Sequence, residues 1–378
     1  MAALTSSISP EANSVIDFRR VLCERNAKKQ ETVYGTFTST VLQNTSKQDA
    51  TGFVATKEMS ILWCSDSHGG SIDKKKYVIR DFLNTITDEK WLEYVEQKDF
   101  HLGDREEDGK YRSKLFRDIE ERGPYIDTGA TLSIVLITPY TIECYRVGDS
   151  PIFVFRNGEN ILYSNHDEEF IEDLESLKQR KYFGKNVNSC CDTYSGVVPA
   201  PDIRPLSDNI MTNKSSYYIY WDTGSGTNMT RSIGHNQPEN IHIRQKNARE
   251  EAKLQEDPQS QTTPSTSPIP PSLPNWTMTK NVIERMPGQQ EKVIVATDGI
   301  STVSDSFDYE TIYGVAKTDA VDIVHMGLKR WKQVWEFKVK GYASRYTRIP
   351  EWNRDDMAAA VWASTPPAPP TPPTTPIK

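Results

Sequence analysis

Three acidic positions flank strand-like runs in this sequence. Asp66 follows "ILWCS" and precedes His68-Gly69-Gly70, Asp298 follows "KVIVAT" and precedes Gly299, and Asp355-Asp356 precede "MAAAVW". A carboxylate at a strand edge can project into a cleft, and three of them from distant points would gather a hard divalent cation. Glycine close to such an aspartate lets backbone and solvent approach the ion. Phosphate esters need a site of this kind, because they are anionic and very slow to hydrolyse. Two metal ions about 3.5–4 Å apart can share a bridging hydroxide, lower its pKa and neutralise the phosphoryl oxygens. The leaving alkoxide then needs a proton, and His68, two residues after Asp66, is the natural donor. Each motif also has a plainer reading. "TDG" after a strand is usually a turn, "DSHGG" reads as a Gly-rich turn whose polar residues cap backbone groups, and "DDM" reads as a solvated loop.

The elements that must position these residues follow from periodicity. Short runs of β-branched and aromatic residues over 32–64 ("TVYGTFTSTVL", "MSILWCS") read as strands, the second stopping at "DSHGG". Apolar residues three and four apart predict helices over 73–86, 89–99 and 110–121, the last ended by Gly123-Pro124. From 127 to 164, "ATLSIVLITP", "TIECYRV", "PIFVFRNG" and "NILYS" predict antiparallel hairpins. Further helices fit 14–27, 167–181 and 318–338, and "SSYYIYWD", "KVIVATDG" and "MAAAVWA" complete the strands. The order predicts an α+β fold, two packed antiparallel sheets with helices outside.

Composition bounds the rest. The 378 residues suit one large or two small domains. The net charge of −7 disfavours nucleic acid as a partner. Cys23, Cys64, Cys144, Cys190 and Cys191 form no CxxC pair, which points away from zinc and disulfides and toward a reducing compartment. The N-terminus lacks a basic-then-apolar signal pattern, and no run approaches the roughly 18 apolar residues of a spanning helix, so a soluble intracellular protein without a membrane partner is expected. The hydrophobic fraction is only 36%, which implies unpacked length. Two stretches account for it: a charged, Ser/Thr/Pro-rich insertion over 246–275, and a Pro-rich tail over 365–378 that could bind an aromatic-groove module.

Taken in order, these motifs resemble those of the protein phosphatase 2C family of metal-dependent Ser/Thr phosphatases. The family's "DGHGG" resembles Asp66-Ser67-His68-Gly69-Gly70, and its "GSTA" resembles Gly129-Ala130-Thr131-Leu132. Its "VGDS" matches Val147-Gly148-Asp149-Ser150, and its "T-x-DH" resembles the stretch around Asn165-His166. Its "TRSLGD" resembles Thr230-Arg231-Ser232-Ile233-Gly234-His235, its "SDG" resembles Thr297-Asp298-Gly299, and its closing "DN" with Met or Ile resembles Asp355-Asp356-Met357. The likeness covers residues 32–364, after an extension over 1–31.

The resemblance implies a central antiparallel β-sandwich flanked by pairs of helices, in four layers α-β-β-α. It implies two Mn²⁺ or Mg²⁺ ions, Asp66 bridging both, with the Ser67 carbonyl completing one and Asp298 and Asp355 holding the other. Asp49 matches an early acidic position that holds metal-bound water, Asp127 lies near the family's third-metal aspartate, and His68 would be the general acid. Asp149 and Arg231 match positions read as structural. A monomer acting on phosphoprotein substrates is the expectation.

The departures are specific. Asn44 stands where the family has the arginine that clamps substrate phosphate, and a neutral amide cannot replace a bidentate cation. Arg19, Arg20 and Lys47 are the nearby cations. Gln48 replaces an acid, Ser67 a glycine and Asp356 an asparagine. They leave open a second reading, a catalytically inactive pseudophosphatase kept as a protein-binding module. A hydrolase of small phosphorylated molecules and an unrelated structural sandwich are the remaining alternatives.

Overall fold

The computed structural model describes residues 24, 26–44, 46–69, 78–107, 109–123, 128–165, 196–207, 209–220, 226–227, 231–234, 276–286, 288–304, 308–315, 317–338 and 341–365. Four strands open the fold, β1 (Lys28–Thr32), β2 (Gly35–Leu42), β3 (Asp49–Ala55) and β4 (Ser60–Gly69). Helices α1 (Val78–Thr85), α2 (Asp88–Glu96) and α3 (Lys114–Glu120) follow. Strands then return as β5 (Thr128–Ala130), β6 (Leu132–Ile137), β7 (Thr141–Val147), β8 (Ile152–Arg156) and β9 (Glu159–Ser164). Next come β10 (Gly196–Ser207), β11 (Ile210–Tyr220), β12 (Gly226–Thr227), β13 (Ile233–Gly234), β14 (Thr279–Glu284) and β15 (Glu291–Ala296). The short α4 (Asp298–Ser301), a π-helical turn (Tyr309–Tyr313) and α5 (Ala320–Lys332) precede β16 (Val334–Lys338), β17 (Arg345–Arg348) and β18 (Met357–Ser364).

Two sheets carry the core. One runs β1-β2-β18-β15-β8-β9, the other β13-β5-β4-β6-β7-β14 with β3 also paired to β4. The side-chain period of two sorts each central strand between two layers. In β4, Leu62 and Cys64 point to the opposite sheet, where they meet Phe37, Val293, Val295 and Trp362. Ile61 and Trp63 point outward to Ile79, Leu83, Trp91 and Phe116 of α1–α3. In β15, Ile294 faces outward with Ala359 and Val361 against Ile323, Val324, Leu328 and Trp331 of α5. Strands buried on both faces read as continuous apolar runs, and each large side chain buried this way contributes about 1.5–3 kcal/mol. The result is the expected α+β sandwich with helices on both outer faces.

Local chemistry sets the helix ends. Asp319 caps α5 by accepting from the Asp322 N–H at 3.0 Å while Asp322 accepts from the Asp319 N–H at 3.3 Å, and Lys329, Arg330 and Lys332 complement the C-terminal dipole. Arg330 also reaches Asp308 with two nitrogens, at 2.6 and 3.1 Å, in a buried bidentate pair that ties the π-helical turn to α5.

Three expectations are corrected. The helix predicted over 318–338 ends at Lys332, because Gln333 leaves helical geometry and "VWEFK" forms β16, as its β-branched and aromatic content favours. A third sheet was not anticipated. Its order is β10-β11-β16-β17 with β12 on β11, and β16 runs parallel to β11. The turn predicted at "DSHGG" is strand: β4 continues through Ser67, His68 and Gly69, which pair with Ala130, Gly129 and Thr128 of β5. The helix over 167–181, most of the helix over 14–27, the insertion, the tail and Asp127 lie outside the described residues. Among the described residues, no helix is long and apolar enough to cross a membrane.

Candidate active site

Strand pairing places Asp49 directly opposite Asp66, the first residue of β3 against the seventh of β4. Such cross-strand neighbours share one face of the sheet, so two carboxylates there repel. Asp66 is held by Thr131, whose hydroxyl accepts from the Asp66 N–H at 2.9 Å and whose N–H donates to the Asp66 carbonyl at 2.8 Å. The other sheet supplies Asp298 after β15 and Asp355 before β18, and those two strands are paired.

Thr297 ties the sheets together. Its hydroxyl donates to Asp49 Oδ2 at 2.6 Å and accepts from the Ala358 N–H at 2.9 Å, while its own N–H donates to the Ala358 carbonyl at 3.0 Å. Gly299 lets the two acidic segments meet, because a Cβ there would overlap the Asp356 carbonyl oxygen and stand 3.1 Å from the Asp355 Cβ. Gly299→Ala is therefore expected to push Asp298 and Asp355 apart and to cost roughly 1–3 kcal/mol of stability. Thermal melting and Mn²⁺ calorimetry would check this, and a variant with wild-type melting and metal affinity would contradict it.

The electrostatics are those of acids crowded without a counter-ion. Burial raises Asp66, and Asp298, Asp49, Asp355 and Asp149 raise it further. Burial also raises Asp49, with Asp355 and Asp356 adding to it. Burial and then Asp149 push Asp298 to about 7, against the pull of Arg204 and of hydrogen bonding with the Asp66 carboxyl. Asp355 is pushed to about 8 by burial, Asp298 and Asp356. Carboxyls buried among like charges each resist ionisation, which is the common direction of these shifts.

His68 is only partly exposed, and desolvation pulls its imidazole down to about 4, so it is neutral near pH 7. Ser67 is fully buried, its N–H donating to the Gln48 carbonyl at 3.3 Å.

The departures from the resembled pattern have local explanations. Asp356 collects the Asn44 N–H on Oδ1, and the Ser46 hydroxyl at 2.8 Å and the Gln48 N–H at 2.6 Å on Oδ2, anchoring the β2–β3 loop. The Asn44 amide donates to the Asp355 carbonyl. Asn44 is thus a brace for the acidic loop. Lys47 turns through φ 55°, its carbonyl accepting from Arg80. Arg19 and Arg20 lie outside the described residues.

Two members of the cluster were not assigned to it from the sequence. Asp149, read as a hairpin residue, is buried, bears on Asp66 and Asp298, and is itself raised to about 6 by burial against the opposing charge of Arg204. The "VGDS" motif located the turn, but periodicity says nothing about which way its carboxylate points. Arg204, near the end of β10, has no motif around it.

The donor set fits hard divalent ions in kind: oxygen ligands only, mutually repelling, with Asp298 Oδ1 and Asp149 Oδ1 buried and without hydrogen-bond partners. Among the described residues, no three His, Cys, Asp or Glu side chains already stand in ligating positions around one point. The strands bring the carboxylates together, and Asp49 is turned to the Thr297 hydroxyl.

No protein-family model and no curated protein matches the sequence. Solved structures with similar folds include a C. elegans sex determining protein, at 13% identity and TM-score 0.45, covering 89% of this chain and 66% of that one. A serine-threonine phosphatase 2C from Toxoplasma gondii has 11% identity and TM-score 0.44, with 90% and 99% covered. A Mycobacterium tuberculosis serine/threonine phosphatase has 11% identity and TM-score 0.39, with 87% and 98% covered. At these identities and TM-scores the likeness carries no activity over to this chain.

Proposed function

We propose that this chain is a metal-dependent phosphatase that removes phosphate from phosphoserine and phosphothreonine in proteins. The observation that carries the reading is the buried acid cluster: Asp49, Asp66, Asp298 and Asp355 come from four separate strand ends or edges, and burial together with neighbouring acids raises the pKa of each. A cluster of buried carboxylates is costly unless a cation joins it. Asp66, with the Ser67 carbonyl, and Asp298 with Asp355 would hold two Mn²⁺ or Mg²⁺ ions, with Asp49 orienting bound water. Such ions supply Lewis acidity and lower the pKa of an attacking water.

The chain's own residues do the remainder. The Thr297 and Thr131 contacts hold the acidic strands in register. The β2–β3 loop, braced by Asp356, fixes the position of Asp49. His68 is the candidate proton donor to the leaving alkoxide. Its imidazole is neutral at pH 7, so donation requires an anionic phosphate nearby to raise its pKa.

A second reading has its own observation. The Asn44 amide, where a phosphate-clamping arginine would stand, is spent on the acidic loop, which favours a catalytically silent binding module. Hydrolysis of p-nitrophenyl phosphate and of a phosphothreonine peptide with Mn²⁺, against an EDTA blank, separates the two. Metal-dependent turnover on both substrates is expected. Its absence, with Mn²⁺ binding intact by calorimetry, would establish the silent module, and turnover of p-nitrophenyl phosphate alone would point to small phosphorylated molecules.

A further inference from the structure

We propose that Arg204, on the third sheet, is the phosphate-binding cation of this site, doing from β10 what Asn44 cannot do from the β2–β3 loop. The inference rests on the phosphatase reading for its substrate but not for its geometry. A phosphoryl dianion entering a pocket of carboxylates needs a positive group beyond any metal, and a guanidinium suits it because its fork matches two phosphoryl oxygens.

Arg204 meets three requirements. It is partly exposed, so a ligand can reach it. Its Nη1 donates to Thr302 Oγ1 at 3.2 Å, and Thr302 immediately follows α4, whose first residue is Asp298, so the guanidinium lies within about one helical turn of the acid cluster. It carries the opposing charge felt by both Asp149 and Asp298. The backbone supports the placement. The β10–β11 register slips between Pro205 and Ser207, directly after Arg204, and such irregularities re-aim the neighbouring side chain.

Other cations near the cluster are engaged differently. Arg146 is fully buried against the Gly148 carbonyl and Ser164 Oγ, and Arg231 is buried. Arg354 precedes Asp355 in the chain but donates to the Ile349 carbonyl at 3.4 Å.

The test uses the full chain with Arg204→Ala and Arg204→Lys, melting each to verify folding. Calorimetry with Mn²⁺ alone, then with inorganic phosphate on the Mn²⁺-loaded protein, is followed by KM and kcat on p-nitrophenyl phosphate. Arg204→Ala should weaken phosphate binding and raise KM by about ten- to a hundredfold, the range of a charge-assisted hydrogen bond, with Mn²⁺ affinity not reduced. Arg204→Lys should recover part of the loss, which a purely structural role would not produce. Unchanged phosphate affinity in Arg204→Ala, or no phosphate binding by the wild type, would overturn the assignment. So would a loss of Mn²⁺ affinity, which would make Arg204 a brace of the metal ligands rather than a phosphate-binding group. Wild-type protein that binds phosphate through Arg204 without turnover would sink the phosphatase reading and leave this one standing. Turnover that is indifferent to Arg204 would do the reverse.

Discussion

Asp66→Asn should abolish Mn²⁺-dependent hydrolysis, by about a thousandfold or more, while raising the melting temperature of the metal-free protein. The two effects have one cause. In the metal-free fold, Asp66 faces Asp49 across the β3–β4 pair, and burial together with Asp298, Asp49, Asp355 and Asp149 resists its negative charge. Asparagine keeps the shape and the backbone bonds to Thr131 but removes that charge, which relieves the repulsion. A neutral amide is also a poor ligand for a hard divalent ion, and losing one carboxylate from the proposed metal site would remove charge stabilisation from the transition state, where a thousandfold corresponds to roughly 4 kcal/mol. Sites that trade stability for function behave this way. The measurement is a pair: kcat/KM with Mn²⁺, and melting in EDTA. A stabilised variant that keeps wild-type activity would remove Asp66 from the catalytic machinery, and a destabilised one would show that the acid cluster is not under strain.

The parts of this fold legible in the sequence were those with strong periodicity. β4, β6, β15 and β18 are buried on both faces, and they carry the apolar runs "ILWC", "IVLI", "VIVA" and "MAAAVWA". The α1–α3 helices declare themselves by the spacing of their apolar residues, though the helix predicted from 110 begins only at Lys114, where Ser113 caps it by accepting from the Phe116 N–H. Asp66, Asp298 and Asp355 were legible for the same reason, since each sits beside one of these runs, whereas Asp49 came only from the resemblance and Asp149 was read as a hairpin residue. What failed was reading strand continuation from composition. "DSHGG" looks like a turn because Ser, His and Gly are turn residues, yet pairing with β5 keeps it extended through Gly69. Tertiary pairing overrode local preference there, whereas at "VWEFK" the local preference was for a strand and adjacency to a helix masked it.

Arg204 was invisible for a different reason. Its meaning depends on a third sheet formed by residues more than a hundred positions apart, β11 with β16, and no local pattern announces a parallel pairing of three residues. Asn44 shows the converse. The sequence marks a missing arginine, but only the fold explains the loss: the amide and the Asp356 carboxylate together brace the acidic loop.

The acid cluster also sets a pH dependence whose sign can be worked out. A carboxyl raised in the folded state binds more protons folded than unfolded, so its contribution falls as pH rises from the unfolded value of 3.8 through the folded one. Asp149, Asp298 and Asp355, at about 6, 7 and 8, place that loss between pH 4 and 8, and Asp298 alone corresponds to roughly 4 kcal/mol. Because the acids interact, their losses do not add. His68 opposes them below its unfolded value, since an imidazole lowered to about 4 gains stability as pH rises to 6.5. Lys292, lowered to about 7 by burial, does the same at higher pH. Absolute melting temperatures therefore mix opposing slopes. The increment produced by Mn²⁺ does not, because Lys292 titrates with and without the ion, whereas a bound cation requires the carboxylates deprotonated. The Mn²⁺-induced rise in melting temperature should accordingly grow from pH 6 to pH 8, and calorimetry in buffers of different ionisation enthalpy should show protons released on binding. An increment that is flat across that range, with no proton release, would mean that Mn²⁺ binds elsewhere and that Asp66, Asp298 and Asp355 are not its ligands.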